Sequence, residues 1–217
     1  MMAFDFKKEY REFYLPKGKP EIIQIPPMHY VAVRGAGDPN VPGGTYQQAL
    51  QTLYALSYTL KMSYKAGYQM DGFFEYVVPP LEGFWWQEGS ERLDYSHKER
   101  FHWISVIRLP DFVTEQDLQW AKATAAQKKG LDCTGAEFLR VEEGLCVQCM
   151  HLGSYDEEPA TVEKMDAYLT ENGYCNDLTF SRLHHEIYLS DVRKTAPEQL
   201  KTVIRHPIQA LSDGISE

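Results

Sequence analysis

The chain has 217 residues and a formal net charge of −9, from 22 basic and 31 acidic side chains. A chain of this length can bury a sizeable core, and we expect one compact unit. The acidic balance offers no basic surface for a phosphate backbone, which disfavours direct nucleic-acid binding. No run approaches the ~20 apolar residues that span a bilayer, and the first residues lack the apolar segment of a signal peptide, so we expect a cytoplasmic protein without membrane contact.

The chain is predicted to open with an arm, a strand and a helix. Residues 1–20 are polar and charged and form the arm, whereas residues 21–35 are rich in branched and aromatic side chains and predict a strand. The segment Thr45-Tyr-Gln-Gln48 is interpreted as a capping box. Apolar residues at helical spacing then predict a long helix that runs to about Ala66.

Two further strands and a connecting helix are predicted next. Residues 73–78 and residues 101–109 are short aromatic and branched runs, each followed by proline. Trp85 and Trp86 lie between them and are placed on a loop. Residues 114–129 carry a capping pattern at their start and a glycine after their end, which predicts a modest surface helix.

The second part of the chain repeats the order of the first. A strand over residues 145–152 is followed by a cap at residues 154–157, a helix that ends at Gly173, and strands over residues 184–189 and 201–207. The pattern of strand, helix, strand, strand therefore occurs twice. This order predicts an α+β fold with a pseudo-two-fold axis, a mainly antiparallel sheet, helices on one side and a central ligand cleft.

The domain limits follow from this duplication. We expect one domain over residues 21–208, in which the first repeat covers about 21–110 and the second about 136–208. The helix over residues 114–130 links the repeats, and residues 209–217 form a C-terminal tail.

The cysteines and histidines do not predict a metal site or a redox pair. Cys146 and Cys149 lie three residues apart in a predicted strand, so their side chains point to opposite faces and a structural role is favoured. His184 and His185 are adjacent strand residues that also point apart, and no second spaced pair completes a zinc set. We expect neither a metal nor a cofactor.

Four short motifs, in their order along the chain, resemble the gyrase-inhibitor-like family of small-molecule-binding domains. They are Met28-His-Tyr-Val-Ala-Val-Arg-Gly-Ala-Gly-Asp-Pro, Met150-His-Leu-Gly-Ser-Tyr-Asp, His185-Glu-Ile-Tyr-Leu and Val203-Ile-Arg-His-Pro-Ile. The resemblance covers about residues 21–208. It implies a pocket with apolar and aromatic walls around a central glutamate, which binds drug-like and often cationic or polycyclic compounds.

Two other segments resemble a stand-alone bacterial branch of this group without a DNA-binding domain. They are Val-Pro-Pro-Leu-Glu-Gly-Phe-Trp-Trp and Leu-Ser-Asp-Val-Arg-Lys-Thr-Ala-Pro-Glu. Some members of that branch are similar to cyclopropanoid cyclopropyl hydrolases, which open the strained ring of DNA-alkylating natural products with water and so detoxify them. The resemblance therefore implies a hydrophobic polycyclic ligand and a cofactor-independent hydrolase.

Glu186 and Tyr188 are the candidate catalytic residues, because strand alternation puts them on one face. Glu186 would position or deprotonate a water, and Tyr188 would donate a hydrogen bond. The alternative for Glu186 is an exposed strand residue. The candidate ligand-binding residues share large aromatic rings, for which core packing is the alternative. They are Trp85, Trp86, Phe101, Trp103, Tyr155, Tyr46 and Tyr64.

Other functions compete with hydrolysis. The first is a non-catalytic protein that senses or sequesters cationic and hydrophobic compounds with the same pocket. A gyrase-directed inhibitor and a haem protein of a distantly similar fold rank lower, because the charges are scattered and no distinctive axial ligand is evident. The sequence leaves the oligomeric state open, with a homodimer as one option.

Overall fold

The computed structural model describes residues 3–90 and 92–211, so residues 1–2 of the predicted arm and 212–217 of the predicted tail lie outside the described residues. Within these ranges the α-helices are α1 (Phe6–Glu9), α2 (Arg11–Tyr14), α3 (Thr45–Lys61), α4 (Glu115–Lys129) and α5 (Glu158–Glu171). The strands are β1 (Glu21–Ile25), β2 (Met28–Ala36), β3 (Leu81–Gln87), β4 (Phe101–Arg108), β5 (Ala136–Val141), β6 (Gly144–Leu152), β7 (Tyr174–Asn176), β8 (His184–Tyr188) and β9 (Lys201–Ala210). None of these helices is long and apolar enough to cross a membrane.

The strands form one antiparallel sheet in the order β1-β6-β9-β8-β3-β4-β2-β5. Strand β7 lies outside this order and pairs with β9. The first module supplies β2, α3, β3 and β4, and the second supplies β6, α5, β8 and β9. The two modules meet where β8 pairs with β3. The order β6-β9-β8 thus mirrors β2-β4-β3 across this joint, which confirms the predicted α+β fold with two similar halves.

The outer strands are exchanged between the halves. Strand β1 leads into β2 in sequence but pairs with β6, and β5 leads into β6 but pairs with β2. The prediction of one strand over residues 21–35 is wrong for this reason. Pro26 and Pro27 separate β1 from β2, and neither proline has a backbone N–H to donate to a ladder.

The three longer helices lie on one face of the sheet, as predicted. Leu53, Leu56 and Leu60 of α3 pack in one core with residues of β2, β4 and α4. Met165 and Leu169 of α5 pack in a second core on β6 and β9. The joint between β3 and β8 therefore lies between α3 and α5 on this face.

The predicted arm packs onto the domain rather than away from it. Its short helices α1 and α2 bury Phe6 and Tyr14 against Ile187 and Val203, on the opposite face of the sheet. Strand β9 extends into the predicted tail as far as Ala210. The domain limits at residues 20 and 208 stay a prediction.

A buried network of charged groups occupies this opposite face. His185 lies 3.0 Å from a carboxylate oxygen of Glu82 and 3.0 Å from one of Glu143, and Arg205 donates to the other oxygen of Glu143 at 3.0 Å. Burial opposes the charge of His185, but Glu143 and Glu82 raise its pKa above the ordinary value. The charges are paired and hydrogen-bonded within the network, which gives it a structural role.

Two strand assignments need correction. Residues 73–78 do not form a strand: Tyr76 makes an isolated bridge with Phe4, and its buried ring reflects core packing instead of pairing. The segment expected to be a loop around Trp85 and Trp86 is strand β3. Both faces of β3 are largely buried, so its sequence lacks the alternation of a half-exposed strand.

The ends of the helices also test the sequence patterns. Thr114 caps α4 with a capping box and Gly130 ends it, as predicted. The capping box at residues 45–48 is wrong, because Gly44 is the N-cap residue of α3 and makes no side-chain bond. The predicted helix to about Ala66 is too long: α3 ends at Lys61, and the next turn tightens to a 3-10 helix before Gly67, whose φ is 76°.

Candidate functional site

The candidate site lies on the helix-covered face where β3, β4 and β8 run side by side. In the register of the sheet, Gly83 lies opposite Glu186, and Trp85 lies opposite both His184 and Trp103. Strand alternation places His184, Glu186 and Tyr188 on this face. The joint between the two modules therefore brings a carboxylate, an imidazole and a phenol together with two indole rings.

Glu186 is buried and forms one end of a chain of hydrogen bonds. Its side chain is 7 % exposed, and its Oε1 lies 2.9 Å from His184 Nε2. His184 Nδ1 lies 2.7 Å from His206 Nε2, and His206 Nδ1 lies 3.3 Å from Asn176 Oδ1. Asn176 Nδ2 donates to Asp166 at 2.5 Å. The chain fixes the position of the Glu186 carboxyl group.

The direction of these bonds assigns the protons. Because the Asn176 amide nitrogen donates to Asp166, its oxygen accepts from His206 Nδ1, and His206 Nε2 then accepts from His184. Burial, together with the neighbouring His184 and Arg92, lowers the pKa of His206 well below its ordinary value, in keeping with a neutral ring. His184 therefore donates from Nδ1 to His206, and its Nε2 lies 2.9 Å from Glu186 Oε1.

A second carboxyl group lies beside the first. Glu158, the first residue of α5, is fully buried, and Tyr95 donates a hydrogen bond to its Oε2 at 2.8 Å. Its Oε1 has no hydrogen-bond partner among the described residues. Burial first, and then the negative charge of Glu186, raise the pKa of Glu158 well above its usual range. The surroundings of Glu158 therefore favour its protonated form.

Glu158, His184 and Glu186 each offer one atom within 4.8 Å of the others, a spacing that also suits a metal ion. The same three residues also take part in hydrogen bonds. His184 Nε2 lies 2.9 Å from Glu186 Oε1, and Glu158 accepts a hydrogen bond from Tyr95.

Aromatic rings surround the phenol of Tyr188. Trp85 Nε1 donates a hydrogen bond to its oxygen at 2.8 Å, and the ring of Tyr155 packs edge-on with centroids 5.7 Å apart. The ring of Tyr46 lies 5.5 Å from that of Trp85 and 5.1 Å from that of Trp103. We call Trp85, Phe101, Trp103, Tyr46, Tyr155 and Tyr188 the aromatic cluster.

Two glycines make room for these rings. A Cβ at Gly35 would lie 2.3 Å from ring carbons of Trp103. A Cβ at Gly83 would lie 2.6 Å from Trp85 Nε1 and 3.0 Å from the oxygen of Tyr188. The bond between Trp85 and Tyr188 thus depends on the absence of a side chain at position 83.

Two polar groups near the aromatic cluster are left unused. Trp103 Nε1 and Ser105 Oγ are buried and have no hydrogen-bond partner among the described residues. A buried donor without a partner costs free energy, about 1–3 kcal/mol by general experience. Neither residue contributes to the wall of the cavity that opens beside the aromatic cluster.

A cavity of about 480 Å³ opens beside the cluster, between the end of β3, the start of α5 and residues 178–183. Trp85, Tyr95, His184 and His206 contribute to its wall. Glu186 and Glu158 do not line it, but each is hydrogen-bonded to a residue that does.

The structure brings most of the predicted ligand-binding residues together, with two exceptions. Trp86 lies on the other face of β3, where it stacks on His102 with centroids 5.2 Å apart, although it also borders the cavity. Tyr64 lies outside the aromatic cluster and the cavity wall, 37 % exposed, with its ring against Phe73. Tyr64 lies beyond the end of α3 at Lys61, in the 3-10 helix that follows.

Sequence reasoning missed three residues of the site. His184 could have been found, because it is two residues from Glu186 in one strand and so shares its face. Glu158 directly follows the capping segment Ser154–Glu157. An acidic residue in the first turn of a helix is ordinary, so the sequence contains no sign of a role in the site. Tyr95 lies between elements, where no periodic pattern identifies it.

Comparison with known proteins places the chain in a described family. A model of the GyrI-like small molecule binding domain matches residues 18–209. An uncharacterized conserved protein from Listeria innocua is 48% identical, with a TM-score of 0.90 over 95% of this chain and 100% of that chain. Two L. innocua proteins described as hydrolases are 45% and 47% identical, with TM-scores of 0.87 and 0.88. The first aligns over 95% and the second over 96% of this chain, each over 100% of its own length. No curated protein matches the chain.

Proposed function

Because the chain belongs to the GyrI-like small-molecule-binding family, we propose that it binds hydrophobic polycyclic compounds in the aromatic cluster and hydrolyses those that carry an activated cyclopropane. The reaction would detoxify DNA-alkylating compounds. Family membership supports the binding of a small molecule, and the description of two similar L. innocua proteins as hydrolases supports water as the second reactant. A shared fold alone does not fix the chemistry, so the proposal depends on the site.

The observation that carries this proposal is the buried Glu186 carboxyl, held by His184 beside the aromatic cluster. An apolar surrounding excludes bulk water and strengthens the interactions of a carboxylate. Flat aromatic rings would stack on the indole of Trp85, which contributes to the wall of the cavity. Such a site can hold a polycyclic substrate with its electrophilic carbon near a positioned water.

The reaction would proceed by attack of water on the ring carbon. Glu186 accepts a proton as the oxygen–carbon bond forms, and the strained carbon–carbon bond breaks. The electron pair of that bond passes to the acceptor group of the substrate, which then takes up a proton. The hydroxyl of Tyr188, which accepts from Trp85, has its own proton free to donate to Glu186 or to substrate oxygen.

A second candidate is a non-catalytic protein that sequesters or senses cationic hydrophobic compounds. Among the residues that the structure describes, no lysine or arginine forms an ion pair with Glu158 or Glu186. A bound organic cation would pair with the Glu186 carboxylate and would also be attracted to the faces of the aromatic rings. This function predicts binding without turnover.

The test is to incubate the purified protein with a cyclopropane-containing DNA-alkylating compound and to follow the ring-opened product by chromatography and mass spectrometry. Spontaneous hydrolysis gives the baseline. Glu186→Gln keeps the size of the side chain but removes the base, and we expect it to lose about 10²–10⁴-fold in rate while it retains binding. Glu198→Gln is the matched control, because Glu198 is exposed and outside the site.

The two candidates give different results. Ring opening that depends on Glu186 supports the hydrolase. Binding without acceleration by the wild-type protein would reject the hydrolase for that compound and favour the sequestering protein. A homodimer is still a prediction, which the same preparation can test by light scattering.

A further inference from the structure

The two buried carboxyl groups form a pair that the opening of a cyclopropane does not need. One oxygen of each carboxyl group and one ring nitrogen of His184 all lie within 4.8 Å of one another. Two carboxylates this close in a buried site do not both ionise, so one proton stays on the pair. The bond from Tyr95 leaves Glu158 Oε1 unpartnered among the described residues. A neutral acid thus lies beside the proposed base.

We propose that the protein also hydrolyses epoxides on hydrophobic aromatic compounds, with Glu186 as the base and Glu158 as the acid. This inference rests on the role proposed for Glu186 and adds a second class of strained three-membered ring. Glu158 would be a catalytic residue, because its proton goes to the epoxide oxygen.

The step conserves atoms and charge. Glu186 takes a proton from water, the water oxygen bonds to a ring carbon, and the bond from that carbon to the epoxide oxygen breaks. The electron pair stays on the oxygen, which receives the proton of Glu158, and the product is a vicinal diol. The pair ends with its single proton on Glu186, and transfer of this proton to Glu158 restores the starting state without an outside acid.

The short distance between the carboxyl groups of Glu158 and Glu186 favours an epoxide over a cyclopropane as the substrate that uses both groups. In an epoxide, the oxygen that must be protonated is bonded to the carbon that is attacked, so an acid beside the base can reach it. In an activated cyclopropane, the electron pair moves to an acceptor atom several bonds away, where Glu158 cannot deliver a proton. A close pair of acid and base is therefore suited to a leaving atom next to the reacting carbon.

The substrate has to pass Tyr95 or His184, since these side chains separate the pair from the cavity. Release of Tyr95 breaks one hydrogen bond to Glu158, which costs about 0.5–1.5 kcal/mol by general experience. Indole and phenol rings beyond them would stack on an aryl group. We therefore choose an aryl epoxide as the probe.

The experiment measures diol formation from styrene oxide by wild-type protein, Glu158→Gln, Glu186→Gln and the control Glu198→Gln. We expect wild type and control to exceed the rate in buffer by at least ~100-fold and both site variants to lose most of this gain. In water enriched in oxygen-18, one labelled oxygen should enter the diol. Circular dichroism of each variant checks that the fold is retained, and the amide oxygen that Glu158→Gln introduces can still accept from Tyr95.

The activated cyclopropane serves as the reference substrate. We expect Glu158→Gln to lower the ratio of epoxide to cyclopropane rates by at least ~10-fold, since only the epoxide needs a nearby acid. Wild type that opens the cyclopropane but not styrene oxide would overturn this inference and leave the proposed function standing. Failure of both reactions would reject both.

Three other results would also overturn the inference. One is an unchanged ratio of rates in a folded Glu158→Gln protein. Another is hydrolysis of phenyl acetate in place of styrene oxide, which would assign the pair to acyl chemistry. The last is loss of epoxide hydrolysis on treatment with EDTA, which would assign the cluster to a metal ion.

Discussion

The clearest test of the site is the addition of one methyl group at Gly35. In Gly35→Ala, the new Cβ would lie 2.3 Å from two ring carbons of Trp103 and 2.9 Å from a third. Real Cβ atoms essentially never approach other atoms to less than 3.0 Å. Trp103 is 1 % exposed and packed against Tyr46, so its ring has little room to move away.

The size of the effect follows from the cost of overpacking. An extra methyl group in a well-packed core costs about 1–3 kcal/mol. For a chain of 150–250 residues, each kcal/mol lowers the melting temperature by roughly 2–4 °C. We therefore expect Gly35→Ala to melt about 2–12 °C below wild type. Displacement of Trp103 should also weaken the binding of an aromatic ligand.

The assay is thermal unfolding followed by far-ultraviolet circular dichroism, with near-ultraviolet spectra to report the environment of the tryptophans. Gly135→Ala is the matched control, because a Cβ at Gly135 has no heavy atom within 4 Å. Unchanged melting and an unchanged near-ultraviolet spectrum in Gly35→Ala would refute the close packing of Trp103 on β2. Equal destabilisation in both variants would refute it as well.

Two further predictions concern buried groups away from the cavity. Glu143→Gln should cost about 3–5 kcal/mol at pH 7, because it breaks the buried pairs with His185 and Arg205. Burial alone would raise the pKa of Glu143, but His185 and Arg205 lower it to about 2. Its stabilising effect is thus complete above its unfolded pKa of about 4.3 and fades as the pH falls toward 2, so urea unfolding should separate the two proteins less at pH 3. Ellman's reagent should label Cys175 well before the other three cysteines, because those three are buried. Burial, and to a smaller extent the negative charge of Glu143, also raise the pKa of the Cys146 thiol to about 12. Rapid labelling of more than one thiol in the native protein would contradict that burial.

Local patterns predicted the parts of the fold that depend on neighbours in sequence. Thr114 and Gly130 identify the ends of α4 because a cap is made within one turn of the chain. The alternation in β8 puts Glu186 and Tyr188 on one face for the same reason. These two residues could therefore be chosen before any contact was known.

The remaining features depend on residues far apart in the chain. Glu158 and Glu186 lie in α5 and β8, and only the packing of that helix on the sheet makes them neighbours. Trp85 resembled a loop residue because both faces of β3 are covered, which removes the alternating pattern. The pairing of β1 with β6 left no local signal at all.

The exchange of outer strands has a consequence for how the chain folds. Residues 21–25 cannot find their partners, residues 144–148, until more than half of the protein has left the ribosome. Pairings between such distant segments slow folding, because a long loop must close before any contact compensates for its entropy. An isolated first half would also present the unpaired edge of β2, where a second chain could add a strand. Each half therefore needs a strand of the other to complete its part of the sheet, although the two halves have the same order of strands and helix.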